Sequence, residues 1–264
     1  MSGETAYNKR HRSFRCEAVV IRHLNFGEAD RILWLFSLEL GKIQAIAKGV
    51  RKAHSRKSGH LEPFMHVSLL LARGKDLLII TQADTINAYL PLREGLIRSS
   101  YASYVVELLN RFTSDQEENR ALFRLLVNTL ERLCGDDKDI ELALRYYEIR
   151  LLDLVGFRPQ LYECILCGAE IQPEDQYFSV QFGGVVCPNC GIGATGLLPV
   201  SMLSLKYLRH FQRSSFQDAK KASLNLEINQ ELENIMQLYF IYLLERNLNT
   251  PPFIRNARAN KTNP

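Results

Sequence analysis

Four cysteines, Cys164, Cys167, Cys187 and Cys190, are spaced as C-x2-C, nineteen residues, then C-x2-C. Two residues between paired cysteines let both thiolates point at one ion from a tight turn, and the doubled pattern is that of a four-thiolate zinc site. Four thiolates complete a tetrahedron and leave no position for water, so the implied Zn2+ is a single structural ion, closed to hydrolytic chemistry. Gly168 and Gly191 follow the two pairs, where a turn often requires positive φ. Tyr177 to Phe182 and Val185 to Val186 flank Gly183-Gly184, a hairpin signal, and the segment reads as a zinc ribbon. The competing reading is two redox-active pairs or four unrelated cysteines; a thioredoxin-type pair calls for a βαβ context that the sequence lacks.

A second constellation lies between Glu39 and Glu62, where Lys42, Lys48, Arg51, Lys52, Arg56 and Lys57 occur with His54 and His60 and without an acid. Phosphate is the natural partner: each Lys or Arg that neutralises one releases condensed counterions and gives affinity without sequence preference. The stretch from Lys48 to Gly59 is too polar for a core and is expected to be a mobile loop. Arg73 and Lys75, in a later turn, extend the basic path. The competing reading is a solvated charge run. Among aromatic residues nearby, Trp34 and Phe36 alternate along one strand and read as core packing, whereas Phe26, in His23 to Gly27, reads as a loop residue able to stack on a base. Phosphate-binding glycine loops, a nucleophile elbow and H-E-x-x-H are absent, so no enzyme chemistry is indicated.

The elements that would position these residues fall into two regions. Residues 14 to 90 contain five strand-like runs, Phe14 to Arg22, Asp30 to Leu38, Lys42 to Val50, Val67 to Ala72 and Leu77 to Ala83, divided by turn signals. Closing five short strands into a barrel removes their exposed edges, and an OB-fold is the leading candidate. On such a barrel a basic loop commonly works with aromatic stacking to hold single strands.

From Pro91 apolar residues recur at helical spacing, as in Tyr104, Leu108 and Phe112, then Leu122, Leu126 and Leu130. A helix is expected from Asp139 to Val155, stopped by Gly156, with others over Pro199 to Arg213 and Asn229 to Asn247 and an irregular tail from Asn249. The helix from Pro199 sets Lys206, Arg209, His210 and Arg213 opposite apolar residues, either a solvated face or a dock for an acidic peptide. The expected architecture is therefore α+β and multidomain: an OB-fold barrel over residues 1–90, then an all-α domain over 91–264 with the cysteine module inserted at 160–197.

The chain of 264 residues is 46% hydrophobic and 23% charged, ordinary for a globular protein, and excludes collagen-like and disordered classes. Residues 1–90 hold 14 Lys and Arg against 8 Asp and Glu, while the remainder holds 19 against 21. That asymmetry places a polyanion partner on the first region. No apolar run is long enough to span a membrane, and Met1 to Arg15 has no signal-peptide character, so a cytoplasmic location without membrane association is expected.

Several local sequences together resemble the RecO family of bacterial recombination and repair proteins. They are Glu17 to Ile21 followed by Gly27-Glu-Ala-Asp-Arg31, Gly41-Lys-Ile with Ala47-Lys-Gly-Val-Arg-Lys52, Leu61-Glu-Pro-Phe64, and Gly156-Phe-Arg-Pro159 ahead of Cys164-Ile-Leu-Cys-Gly168. The resemblance implies an OB-fold, a helical domain and a four-cysteine zinc module. It further implies binding to single- and double-stranded DNA, annealing of complementary strands, and joint action with RecR in helping RecA replace the single-stranded-DNA-binding protein, in the cytoplasm and on the nucleoid. Lys48, Arg51, Lys52, Arg56 and Lys57 match the family's basic loop. One departure is Thr250 to Arg255, sparsely basic where the family commonly ends in a basic stretch. The alternative from another class is an RNA-binding or transcription-linked zinc-ribbon and OB-fold protein; a zinc-stabilised nuclease or transferase lacks its motifs.

Overall fold

The structure, a computed structural model, describes residues 13–262. The first strand-forming runs become β1 Ser13–Phe26, β2 Asp30–Ser37, β3 Gly41–Ala47, β4 His66–Ala72 and β5 Leu78–Asn87. They close into a barrel in the order β1-β2-β3-β5-β4. Neighbours are antiparallel except β3 and β5, where Ala45 faces Leu78 and Ile46 faces Ile79 in parallel. This is the five-stranded barrel of OB type that the spacing of turns predicts. β1 is long enough to serve two neighbours, pairing with β4 from Ser13 to Val19 and with β2 from Ala18 to Phe26. It also absorbs His23 to Phe26, which the sequence alone places in a loop.

The barrel interior is filled by small and medium side chains: Cys16, Ala18 and Val20 from β1, Leu33 and Leu35 from β2, Ile43, Ala45 and Ala47 from β3, and Val67, Leu69, Leu71, Ile80 and Ala83 from β4 and β5. Val50, Leu61 and Met65, from the β3–β4 connection, join the same core.

Beyond the barrel the chain forms α1 Pro91–Glu94, α2 Leu96–Phe112, α3 Arg120–Leu133 and α4 Asp137–Leu154. β6 Gln176–Ser179, β7 Gly184–Val186, α5 Pro188–Gly191 and β8 Leu197–Val200 follow, then α6 Met202–Arg213, α7 Phe216–Ala219, α8 Leu226–Leu244 and α9 Thr250–Thr262. Two compact units result. The first comprises the chain up to Arg93 with Thr113–Leu130; the second comprises Glu94–Phe112 and the chain from Glu131 onward. Thr113–Leu130 joins the barrel for physical reasons. Phe123 lies against Phe36 and His66 on the barrel's outer wall, with ring centroids 6.4 and 5.8 Å apart, and Gln116 N–H donates to the Lys42 carbonyl at 2.9 Å.

In the second unit α4 packs against α6 and α8, and α2 against α9. Tyr104, Tyr147, Phe211 and Phe240 are fully buried in it. Two sequence expectations fail here. Leu197–Val200 is a strand, pairing with β6 in a three-stranded sheet of order β7-β6-β8, and α6 begins only after Ser201, whose hydroxyl accepts from Ser204 N–H. The tail is not irregular but helical from Thr250. Pro251 and Pro252 sit in the first turn of α9, where a missing N–H costs nothing. The N–H groups of Asn249 and Thr250 donate to the Glu107 carboxylate at 2.8 and 2.9 Å, a cap contributed from a distant part of the sequence. No helix among the described residues is long and apolar enough to cross a membrane.

The tightest local constraint on the barrel unit is at Gly41. Its φ of +64° favours glycine, and an added Cβ would stand 1.9 Å from the Glu117 carbonyl oxygen. Gly41→Ala is therefore expected to destabilise the first unit by about 2 kcal/mol or more. An unchanged urea midpoint, followed by circular dichroism, would refute the close approach.

Candidate nucleic-acid interface and metal centre

The sulfur atoms of Cys164, Cys167, Cys187 and Cys190 all lie within 4.8 Å of one another. Two tight turns bring them together. In the first, Cys164 N–H donates to the Ala169 carbonyl and Gly168 N–H to the Cys164 carbonyl, each at 2.8 Å, with Gly168 at φ +73° as its position demands. In the second, Cys190 and Gly191 N–H groups fold back to the Cys187 carbonyl at 3.1 and 2.9 Å. Gly191 does not adopt positive φ. It is required for space instead, since a Cβ there would meet the Tyr177 ring at 2.3 Å. Ile165 N–H donates to the Val185 carbonyl and Val185 N–H to the Gln160 carbonyl, each at 2.9 Å, so β7 carries the second turn up against the first.

Burial opposes ionisation of Cys164, yet the backbone N–H groups of Cys187, Cys167 and Leu166 point at its sulfur and bring the thiol down to about 6. Cys190, hydrogen-bonded with the thiols of Cys167 and Cys187, is pushed up to about 12. Four sulfurs this close resist shedding all their protons until a cation sits among them. The group can hold one metal ion.

In the first unit, the predicted basic residues separate into two places. Lys48, Arg51, Lys52 and Arg56 are exposed on the β3–β4 connection and make no ion pair among the described residues. The connection is not the loose loop expected from its polarity. Gly49 N–H donates to Asp30 Oδ1 at 2.7 Å, Arg51 N–H to the Ala29 carbonyl at 2.9 Å, and the Arg51 guanidinium to the Gly27 carbonyl at 3.2 Å. His60 Nδ1 and Thr85 Oγ1 are 2.7 Å apart. Lys57 turns inward, its ammonium donating to the Ile80 and Lys48 carbonyls at 2.9 and 3.2 Å, and burial lowers its pKa.

Lys42, Arg73 and Lys75 lie toward the other end of β3. Six residues of strand separate Lys42 from Lys48, about 20 Å at 3.3 Å per residue. They line a groove of about 620 Å³ shared with Glu39, Asp76, Asp115 and Glu118. Lys42 donates to the Thr113 carbonyl at 2.8 Å and pairs with Asp115 at 3.5 Å. The groove is mixed in charge.

The outer face of β1, β2 and β3 holds residues that sequence reasoning placed wrongly. Pairing runs Val20 with Leu35 and then Arg22 with Trp34, so Ile21 is an extra residue, a β-bulge. Before it, Cys16, Ala18 and Val20 point into the barrel; after it, Arg22, Leu24 and Phe26 share the outward row. Trp34 is half-buried on that outer face and carries the Arg22 guanidinium 3.7 Å from its ring centroid. Phe36 is buried, as expected, but under Phe123 outside the barrel. Phe64 is buried. The unbroken apolar run Ala18-Val-Val-Ile21 was the available signal, because a regular strand with one wet face alternates.

In the second unit, Leu205, Leu208 and Phe211 of α6 are buried, and Lys206, Arg209, His210 and Arg213 line a surface groove with Tyr162, Leu203 and Tyr207. Arg209 donates to the Leu161 carbonyl at 2.8 Å, which fixes one of these cations as a structural brace.

The fold and these sites define a two-unit protein: an OB-type barrel with a basic crossover, and a helical unit carrying a four-cysteine module. Residues 12–89 match the family description "Recombination protein O N terminal" and residues 93–252 match "Recombination protein O C terminal". The chain belongs to the RecO family of DNA repair proteins. Among its relatives, "DNA repair protein RecO" of Roseiflexus sp. (strain RS-1) is 37% identical over 94% of this chain and 87% of its own length. The protein of the same name from Dehalococcoides mccartyi (strain ATCC BAA-2100 / JCM 16839 / KCTC 5957 / BAV1) is 41% identical over 88% and 91%, and that from Symbiobacterium thermophilum (strain DSM 24528 / JCM 14929 / IAM 14863 / T) 31% over 93% and 98%. The family is one of recombination mediators and not of catalysts.

Because a metal among four thiolates contributes its binding energy to folding, Cys164→Ser is expected to destabilise the second unit by several kcal/mol. Thermal melting of the wild-type chain should fall toward that of Cys164→Ser when a strong chelator is added. Coincident melting curves with and without chelator would show that the cluster is stable without an ion.

Proposed function

We propose that the protein is a non-catalytic DNA-binding mediator of recombination and repair. It binds single- and double-stranded DNA and anneals complementary strands. With RecR, it helps RecA load onto strands coated by the single-stranded-DNA-binding protein, working in the cytoplasm on the nucleoid. The observation that carries this reading is the basic crossover: Lys48, Arg51, Lys52 and Arg56 stand exposed on a hydrogen-bonded backbone without acidic partners among the described residues. Phosphates of any sequence satisfy such a surface. Lys57 contributes charge from behind, while Lys42, Arg73 and Lys75 are secondary contacts because acids share their groove.

Membership of a family of DNA repair proteins supports DNA over other polyanions. The four cysteines are proposed to hold one structural Zn2+. Sulfurs about 2.3 Å from a tetrahedral zinc stand about 3.8 Å apart, and Cys167 and Cys187 sulfurs are 3.8 Å apart. Zinc there supplies cross-linking of two turns and no reaction.

Replacing Arg51, Lys52 and Arg56 with Ala is expected to weaken binding to single and double strands of all sequences. It should also flatten the logarithmic salt dependence on single strands by about 2, at about 0.7 for each phosphate no longer neutralised. The same variant should anneal strands coated by single-stranded-DNA-binding protein more slowly. An unchanged salt slope, or a preference for structured RNA in the wild-type chain, would overturn the reading.

A further inference from the structure

We propose that the tip of the cysteine module is a docking surface for the basic crossover of a second copy of this chain, so that copies associate head to tail and DNA competes with the contact. The inference rests on the DNA-binding reading, from which it takes a crossover open to polyanions, and adds to it a regulation of that surface.

Three apolar side chains crown the cluster. Ile165 and Leu166 lie between Cys164 and Cys167, and Ile192 follows Cys190 by two residues. They are 38%, 49% and 79% exposed. With all four sulfurs within 4.8 Å of one another, the two turns that carry these residues are neighbours. The turns require cysteine and glycine. Nothing in their geometry requires Ile or Leu at the outward positions, where a polar residue would avoid the cost of exposing apolar surface. Single exposed apolar residues are ordinary, whereas a group of three on one tip, rimmed by polar residues, is the signature of a contact.

The charge around the tip defines what covers it. From Pro159 to Leu205 the chain has no Lys, Arg or His, and it has Glu163, Glu170, Glu174 and Asp175. All four acids are exposed, and none is in an ion pair among the described residues. Glu163 and Glu170 stand opposite each other in an antiparallel bridge, where like charges are unfavourable until a cation meets them. These acids repel phosphate, so neither DNA nor an anionic lipid surface fits the tip. A second module repels it for the same reason, which excludes a symmetric contact between tips.

The complement is present in the same sequence. Residues 1–90 hold 14 Lys and Arg against 8 Asp and Glu. Lys48, Arg51, Lys52 and Arg56 are exposed on the crossover without ion pairs among the described residues. Beside them Phe26 is 51% exposed, next to Gly27, whose carbonyl accepts from the Arg51 guanidinium at 3.2 Å. An apolar side chain edged by cations matches an apolar tip edged by carboxylates. A contact between unlike surfaces of two copies leaves one of each free at the ends, so association extends copy by copy. The tip is small, and a contact of this size is weak and salt-sensitive. A nucleic-acid strand carries a charge on every nucleotide, more densely than the module carries carboxylates, so DNA displaces the module.

Sedimentation velocity of the full-length protein, over a range of concentration at low and high salt, reads the association directly. The wild-type chain is expected to associate at low salt, to fall to monomer at high salt, and to be dispersed by a short oligothymidylate. Ile192→Ser, at a position with little packing to lose, should be monomeric and should bind the oligothymidylate as the dilute wild-type chain does. The crossover variant Arg51→Ala, Lys52→Ala, Arg56→Ala should also be monomeric. An equimolar mixture of the two variants should give a heterodimer that grows no further, because each contributes one intact surface. A wild-type chain that stays monomeric at low salt while binding DNA overturns the proposal and leaves the DNA-binding reading in place. So does association that Ile192→Ser retains, or that DNA fails to disperse. Failure of the Ile192→Ser monomer to bind DNA overturns the underlying reading, and with it the competition.

Discussion

Closure of the barrel through the β3–β5 pair is the constraint on which the first unit depends. Because β5 lies between β3 and β4 in the sheet, the chain cannot pass from β3 to β4 by a hairpin. It has to cross the end of the barrel, and the crossing segment must be apolar on its inner side. Val50, Leu61 and Met65 meet that requirement and are part of the core. The remaining residues of the crossover face water, and these include Lys48, Arg51, Lys52 and Arg56. Basic residues on a plug are held differently from those on a free loop: the hydrogen bonds donated by Gly49, Arg51 and Lys57, with the one between His60 and Thr85, hold the segment that carries them. The proposed phosphate-binding surface therefore has less backbone entropy to lose on binding than a flexible loop has.

The second unit is organised on another principle. Its strands are only three or four residues long, and a sheet of that size has little apolar area with which to hold itself. The cysteine turns at one end of β7, aligned by backbone hydrogen bonds and drawn together at their sulfurs, supply a cross-link that packing does not. Closed by four sulfurs, the module has no coordination position left for a substrate. The residues proposed to meet DNA and those that close this module thus belong to different units.

How much of this was legible in the sequence depended on whether a local signal had one physical meaning. C-x2-C twice over has few, and the four sulfurs converge as the spacing says. Strand number, the barrel and the helical character after Pro91 were equally readable, because period-2 and period-3.6 patterns are distinct there. Leu197–Val200 was misread since four residues containing a proline give no periodicity, and its pairing with β6 is non-local. The tail was misread because two prolines signal irregular chain unless they fall in the first turn of a helix, as Pro251 and Pro252 do. The Glu107 carboxylate that caps that turn is more than a hundred residues away and invisible to local reasoning.

Trp34 shows the limit most clearly. Alternation correctly put Trp34 and Phe36 on one face, and their size suggested that this face was the core. Alternation does not say which face is inside; the width of the barrel does. A barrel of five strands encloses a narrow interior, here filled by Cys16, four alanines, Met65 and ten branched aliphatics, with no aromatic ring among them. In so small a barrel the largest aromatic residues are driven outward, where each needs a cover. Phe36 and His66 have theirs in Phe123, a helix residue of the same unit. Trp34 carries instead the guanidinium of Arg22, 3.7 Å from its ring centroid. Strand count, more than hydrophobicity, therefore decides which aromatic residues of such a fold lie outside its core.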